Sequence, residues 1–164
     1  MKLLLKYWLP AILWIALINV MSIGLFSAQD TGMVAFWIFA HLGVPHEYWQ
    51  TLHFLSRKLG HITEYSILSG TVFWSLRGTT LPAVRGAWHI HWARTAWLIC
   101  TLIAIVDEIH QRFVPSRTPS VHDVLLDSAA AAAVQIVLWL VLRHRPRSPE
   151  ANGSAVRTEA PTSA

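Results

Sequence analysis

The sequence predicts an all-α fold: an integral membrane bundle of four transmembrane helices. Composition points there first. Of 164 residues, 54% are hydrophobic and only 13% charged, against about 25% charged in soluble domains. The mean hydropathy is +0.42. The apolar residues are also gathered into runs, several near the roughly 20 residues a helix needs to cross the hydrocarbon core. These runs do not alternate apolar with polar, as the many strands of a closed β-barrel would require.

Taken in order, Tyr7–Phe26 is a continuous apolar run behind Lys2 and Lys6. It exceeds the 7–15-residue core of a signal peptide, and Phe26-Ser27-Ala28 is a poor cleavage site, so a retained helix is expected. Met33–Val44 stops at Pro45, too short to span. Its Phe36, Trp37 and Phe39 suit a short interfacial helix between the first two spans. An amphipathic loop helix packed on the bundle is an equal alternative. Leu59–Leu76 is the second span, with His61 and Glu64 near its start. Thr95–Val114 is the third, apolar to Val106 and polar beyond. Val121–Leu142 is the fourth, apolar after Asp127, with alanines from Ala129 to Ala133. Pro119 and Ser120-x-x-Asp123 set its start near Thr118–Ser120, as in a capping box with Asp in place of Glu. Residues 7–142 thus form one membrane domain. Residues 143–164, rich in Pro, Ser, Thr, Glu and Ala, read as a disordered tail.

Basic residues predict the orientation. Lys2 and Lys6 precede the first span. Arg77, Arg85 and Arg94 lie between the second and third. Arg143, Arg145 and Arg147 follow the fourth. An even number of spans places all three clusters, and both termini, on the cytoplasmic side. The net charge of +4 and pI near 9.7 fit basic ends touching anionic lipid. No aromatic-interleaved basic stripe argues for nucleic acid. Cys100, the only cysteine, lies within the third span, where it serves as a small packing residue. Asn19 is expected to bond between helices. His89 and His91, beside Trp88 and Trp92, read as interfacial anchors.

Charge recurs where lipid disfavours it. An ionisable group at mid-span costs roughly 2.5–3.5 kcal/mol on insertion scales. Lys58, His61, Tyr65 and Leu68 are spaced three, four and three apart, so they form one helical stripe, with Glu64 alongside. Asp107 and Gln111 share a face of the third helix, with Glu108 beside them. Ser120, Asp123 and Asp127 share a face of the fourth. His61 and Tyr65 lie roughly 5 and 10 Å in from Lys58. All these groups can therefore meet in one chamber between the second, third and fourth spans, open to the extracytoplasmic side. Lys58, Arg112 and Arg117 bring positive charge to it.

The motifs Lys58-x-x-His61-x-x-x-Tyr65-x-x-Leu68, Asp107-Glu108-x-x-Gln111-x-Phe113 and Arg117-x-x-Ser120-x-x-Asp123 resemble those of the VanZ-like family of small bacterial membrane proteins. By helix layout the resemblance covers about Trp8 to Val141; the specific motifs lie within Lys58–Asp127. The family usually has Asn and then Gly, three residues apart, after the last Asp; here Asp127 and Ala130 stand in those places. The resemblance implies a multi-pass protein of the cytoplasmic membrane. Its founding member gives low-level teicoplanin resistance, which makes an envelope lipid or a lipid-linked cell-wall precursor the expected partner.

Three readings of the chamber follow. In the first it binds an anionic headgroup. Lys58 and Arg117 clamp phosphate, and the contacts are drawn from His61, Tyr65, Asp107, Glu108, Gln111, Ser120, Asp123 and Asp127. In the second, the same groups are an ion-pair network that fixes helix order. In the third, His61, Glu108 and Asp123 act as acid and base in a membrane enzyme. The residues lean away from an enzyme: no HExxH, cysteine pair or nucleophile elbow is present. No cofactor and no metal site is expected.

Overall fold

The computed structural model describes residues 2–22, 28–80, 88–113 and 120–143. α1 is Lys2–Ser22, α2 Ala28–His41, α3 Trp49–Thr79, α4 Ile90–Gln111 and α5 Val121–Leu142, and a 3-10 turn at His46–Tyr48 leads into α3. There is no strand among the described residues. The tail from residue 144 onward lies outside them.

Among the described residues, three helices are long and apolar enough to cross a membrane: α1 through Leu5–Ser22, α4 and α5. Their outward faces keep Leu9, Leu13 and Leu17, Leu98 and Leu102, and Ile136 and Leu140 exposed. An apolar exterior on this scale is a lipid-facing surface rather than a water-facing one. The sequence predicts four spans. The fourth candidate, α3, is 31 residues long but has no comparably apolar window. It also starts about three turns earlier than the expected Leu59. Trp49–Lys58 carries His53, Arg57 and Lys58, yet contains neither Pro nor Gly, so nothing breaks the helix there.

α3 is the hub of the bundle. α1, α4 and α5 all pack on it. Tyr65, Leu68, Ser69, Val72, Phe73 and Ser75 are fully buried along its length. Small polar side chains replace the hydrophobic driving force that lipid removes. The Ser69 hydroxyl donates to the Ala131 carbonyl of α5 at 2.9 Å. Gln135 Nε2 returns to the Ser69 hydroxyl at 2.7 Å. The Ser75 hydroxyl donates to the Tyr7 carbonyl of α1 at 2.7 Å, and Trp14 Nε1 donates to the Glu64 carbonyl at 2.8 Å. Trp92 Nε1 of α4 meets Thr80 Oγ1 at 3.0 Å. These contacts make α1, α3, α4 and α5 alternate in direction. Cys100 is fully buried among them. Asn19 departs from expectation. It is exposed and donates to Ile15 of its own helix at 2.8 Å, because the Glu64, Asp107 and Ser75 contacts turn its face away from the partners.

α2 is helical where a short helix is expected. It ends at Gly43, whose φ of 70° permits a left-handed cap with Val44 N donating to Phe39 O at 2.9 Å. Its inner face holds Phe36 against Trp49, ring centroids 5.7 Å apart.

The α3–α5 seam yields a test. Ala131→Leu should destabilise the protein in detergent by about 1–3 kcal/mol, because it overpacks a closed contact. Ala129→Leu, on the exposed face, should leave thermal unfolding nearly unchanged. Equal effects would mean that α5 presents a different face.

Candidate functional site

The polar residues gather where α1 ends and α5 begins. Lys58, His61 and Tyr65 come from one stripe of α3, and Asp123 and Asp127 from one face of α5. Lys58 Nζ is ion-paired to Asp123 Oδ1. One turn deeper, His61 Nδ1 lies 3.3 Å from Asp127 Oδ2. Asp127 is 1% exposed, so its partner offsets the large desolvation cost of a buried carboxylate. Tyr65 forms the next layer, completely buried.

α4 supplies adjacent carboxylates that turn to different helices, since neighbours in sequence point about 100° apart. Asp107 faces α1. It accepts from the Ser22 hydroxyl and from Gln111 Nε2 at 2.8 Å, while Gln111 Nε2 also reaches Ser22 Oγ at 3.1 Å. Glu108 faces α5 and accepts from the Ser120 backbone N–H at 2.7 Å. This corrects the expected capping box. The Ser120 side chain makes no cap bond. A carboxylate from the neighbouring helix takes the role instead, favoured by the positive end of α5, and Asp123 is left to pair with Lys58. Tyr65 Oη, Glu108 Oε1 and Asp127 Oδ1 are buried without a hydrogen-bond partner among the described residues. Arg117, the other expected cation, lies outside those residues.

Open space lies beside these ties. Between α3 and α5 the expected chamber residues Lys58, His61, Asp123 and Asp127 are tied to one another by ion pairs. A cavity of about 240 Å³ lies between α1, α2, α3 and α4. His53, Arg57, His61 and Glu64 line one wall, and Ser22, Asp107 and Gln111 another. Ile18, Met21 and Ala35 make it partly apolar. Thr31 of α2 closes over it, with Oγ1 3.2 Å from His53 Nε2. Of the sequence candidates, His61, Asp107 and Gln111 reach this cavity. Lys58, Tyr65, Glu108, Ser120, Asp123 and Asp127 do not line it. His53 and Arg57 were missed, although 53, 57, 61 and 64 form a readable helical stripe. Ser22 and Thr31 carry no comparable signal. Among the described residues, no group of three or more His, Cys, Asp or Glu is placed to hold a metal ion.

The motif spacing and this geometry agree with a comparison against known families. A family model described as VanZ/LLP1 matches residues 7–143. The chain belongs to the VanZ/LLP1 family. No curated protein matches it, and no solved structure does. The VanZ/LLP1 match takes in α2 to α5 and α1 from Tyr7 onward, so the cross-ties and the cavity both fall within the family domain.

The Lys58–Asp123 contact should behave as a coupled pair. Lys58→Ala and Asp123→Ala should each lower stability in detergent. The double variant should lose less than the sum, with a coupling of roughly 0.5–3 kcal/mol. Strict additivity in a denaturation cycle would show that the two side chains do not interact.

Proposed function

We propose that this chain is a four-span protein of the bacterial cytoplasmic membrane, with both termini cytoplasmic. Its cavity takes the anionic headgroup of an envelope lipid or of a lipid-linked cell-wall precursor from the outer face. Several features support α3 as the fourth span. Lys58 and Arg77 are separated by about 28 Å at 1.5 Å per residue, close to the roughly 30 Å hydrocarbon thickness. Its polar side chains are turned inward to partners, so its low hydropathy costs little against lipid. The basic residues Lys6, Arg77, Arg94 and Arg143 collect at one end of the bundle, which the positive-inside rule places in the cytoplasm. The carboxylate-rich end then faces outward.

The observation that carries the binding reading is the cavity itself. It sets Arg57, His53 and His61 beside an apolar wall. A guanidinium offers five N–H donors in a fixed fork suited to phosphate. The apolar wall suits the first carbons of a lipid tail. Glu64 favours a headgroup that also carries hydroxyl or amine donors. Lys58, expected from the sequence to clamp phosphate, is ion-paired to Asp123 and does not line the cavity; Arg57 does line it and in this reading contacts the phosphate. The link to teicoplanin resistance follows the family alone and would act through a wall precursor in the same cavity.

The ion-pair network has its own supporting observation. Asp107, Glu108, Asp123 and Asp127 each bond to a different helix from their own. The network and the cavity thus divide the labour: one fixes the helices, and the other receives the ligand. Native mass spectrometry of the full chain separates them. Arg57→Gln should keep the fold and lose a co-purified anionic lipid or precursor. Asp123→Asn should lose stability first. An Arg57→Gln protein that retained the same lipid would refute the cavity as the binding site.

A further inference from the structure

A second groove lies at the opposite end of the bundle, between α1 and α3. It measures about 590 Å³ and is lined by Lys6, Tyr7, Pro10, Thr71, Trp74 and Arg77, with Gly78 at its rim. We propose that this groove is a specific site for an anionic phospholipid of the adjoining leaflet, whose phosphate sits between Lys6 and Arg77.

The groove is built rather than incidental. The Tyr7 ring lies flat on Gly78; a Cβ there would come within 2.3 Å of the ring. The Ser75 hydroxyl fixes the Tyr7 backbone from below. Tyr7 and Gly78 therefore hold α1 and α3 at a set spacing, and the two cations flank the seam. Arg77 lies over Trp74, with Cζ 4.8 Å from the ring centroid. A cation–π contact holds a guanidinium in place without using up its N–H donors, which an oxyanion can then accept from. Lys6 Nζ lies 5.8 Å from the Tyr7 ring centroid. Neither cation is paired to a carboxylate among the described residues. Pro10 lacks an N–H, so the Lys6 carbonyl has no helical partner there.

The floor decides for a lipid over a free phosphate ion. Pro10 and Trp74 are apolar, and one turn deeper Leu13 and Ile67 remain exposed, continuing toward the membrane centre. A phosphate ion would leave that surface unused, whereas a phospholipid would lay its first acyl carbons along it. Basic pockets between helices on the cytoplasmic side recognise such headgroups by the same chemistry.

Native mass spectrometry of the full chain with added phosphatidylglycerol or phosphatidylcholine tests the site, in an Arg57→Gln background that takes the guanidinium out of the outer cavity. The Lys6→Gln/Arg77→Gln variant should lose phosphatidylglycerol affinity about tenfold or more and leave phosphatidylcholine binding unchanged. Arg143→Gln, at the same end on α5, should leave both unchanged. Gly78→Ala keeps every charge but displaces Tyr7, and should also weaken phosphatidylglycerol. Unchanged affinity in the double variant would overturn the proposal. So would an equal loss in Arg143→Gln, which would mean diffuse surface charge. Displacement of the lipid by millimolar inorganic phosphate would assign the groove to the free ion and overturn the lipid.

Discussion

A charge or polar group in hydrocarbon needs a partner, and α3 is where this chain meets that demand. Its stripe of Lys58, His61, Tyr65 and Ser69, and Ser75 on another face, cannot turn to lipid without cost. α1, α4 and α5 therefore surround it and present an acceptor or donor at nearly every turn. Asp123 meets Lys58, Asp127 meets His61, Ala131 and Gln135 meet Ser69, and Tyr7 meets Ser75. The outer helices are thereby freed to be almost wholly apolar on the outside. The polar ladder, more than hydrophobic burial, fixes the order and register of the bundle, because lipid tails compete equally well for apolar surface.

The two ends of this ladder differ in a way that bears on function. At the α5 N-terminal end, carboxylates outnumber the cations that meet them, and most of the charge is spent on neighbouring helices. What stays open there is the lateral cavity under α2, where His53 and Arg57 project from the extra turns of α3. At the other end, Lys6 and Arg77 lack carboxylate partners among the described residues and lie over aromatic rings instead. One end is thus arranged to hold helices together beside a cavity, and the other to meet an anionic surface.

Much of this was legible in the sequence. Val121–Leu142 was placed to the residue, since Pro119 and Ser120 mark its start and an unbroken apolar run carries it on. The facing of Asp123 and Asp127 followed from their four-residue spacing. The motifs identified the family. What the sequence hid has physical reasons. Trp49–Lys58 reads as a loop because hydropathy weighs its charges, yet a helix needs only the absence of breakers and a neighbour for each polar group. The Glu108 cap was invisible because it joins groups from different helices, and the local Ser120-x-x-Asp123 pattern offered a competing answer. Ser22 and Thr31 were unreadable for the same reason: their partners, Asp107 and His53, are brought near only by tertiary packing. His61, Asp107 and Gln111, read from spacing alone, do line the cavity under α2; the part that α1 and α2 play in it was hidden because spacing shows which residues share a face, but not which other helices close over it.

The central claim is that α3 crosses the membrane, so that its two ends lie on opposite sides. The most direct measurement is cysteine labelling of intact cells with a membrane-impermeant maleimide, in a Cys100→Ala background. Gln50→Cys and Thr80→Cys, both at exposed positions, mark the two ends of α3. The account predicts that Gln50→Cys reacts in intact cells and that Thr80→Cys reacts only after permeabilisation. Labelling of both positions from the same side would contradict it: α3 would then not span, and neither the outward cavity nor the opposed basic end would stand.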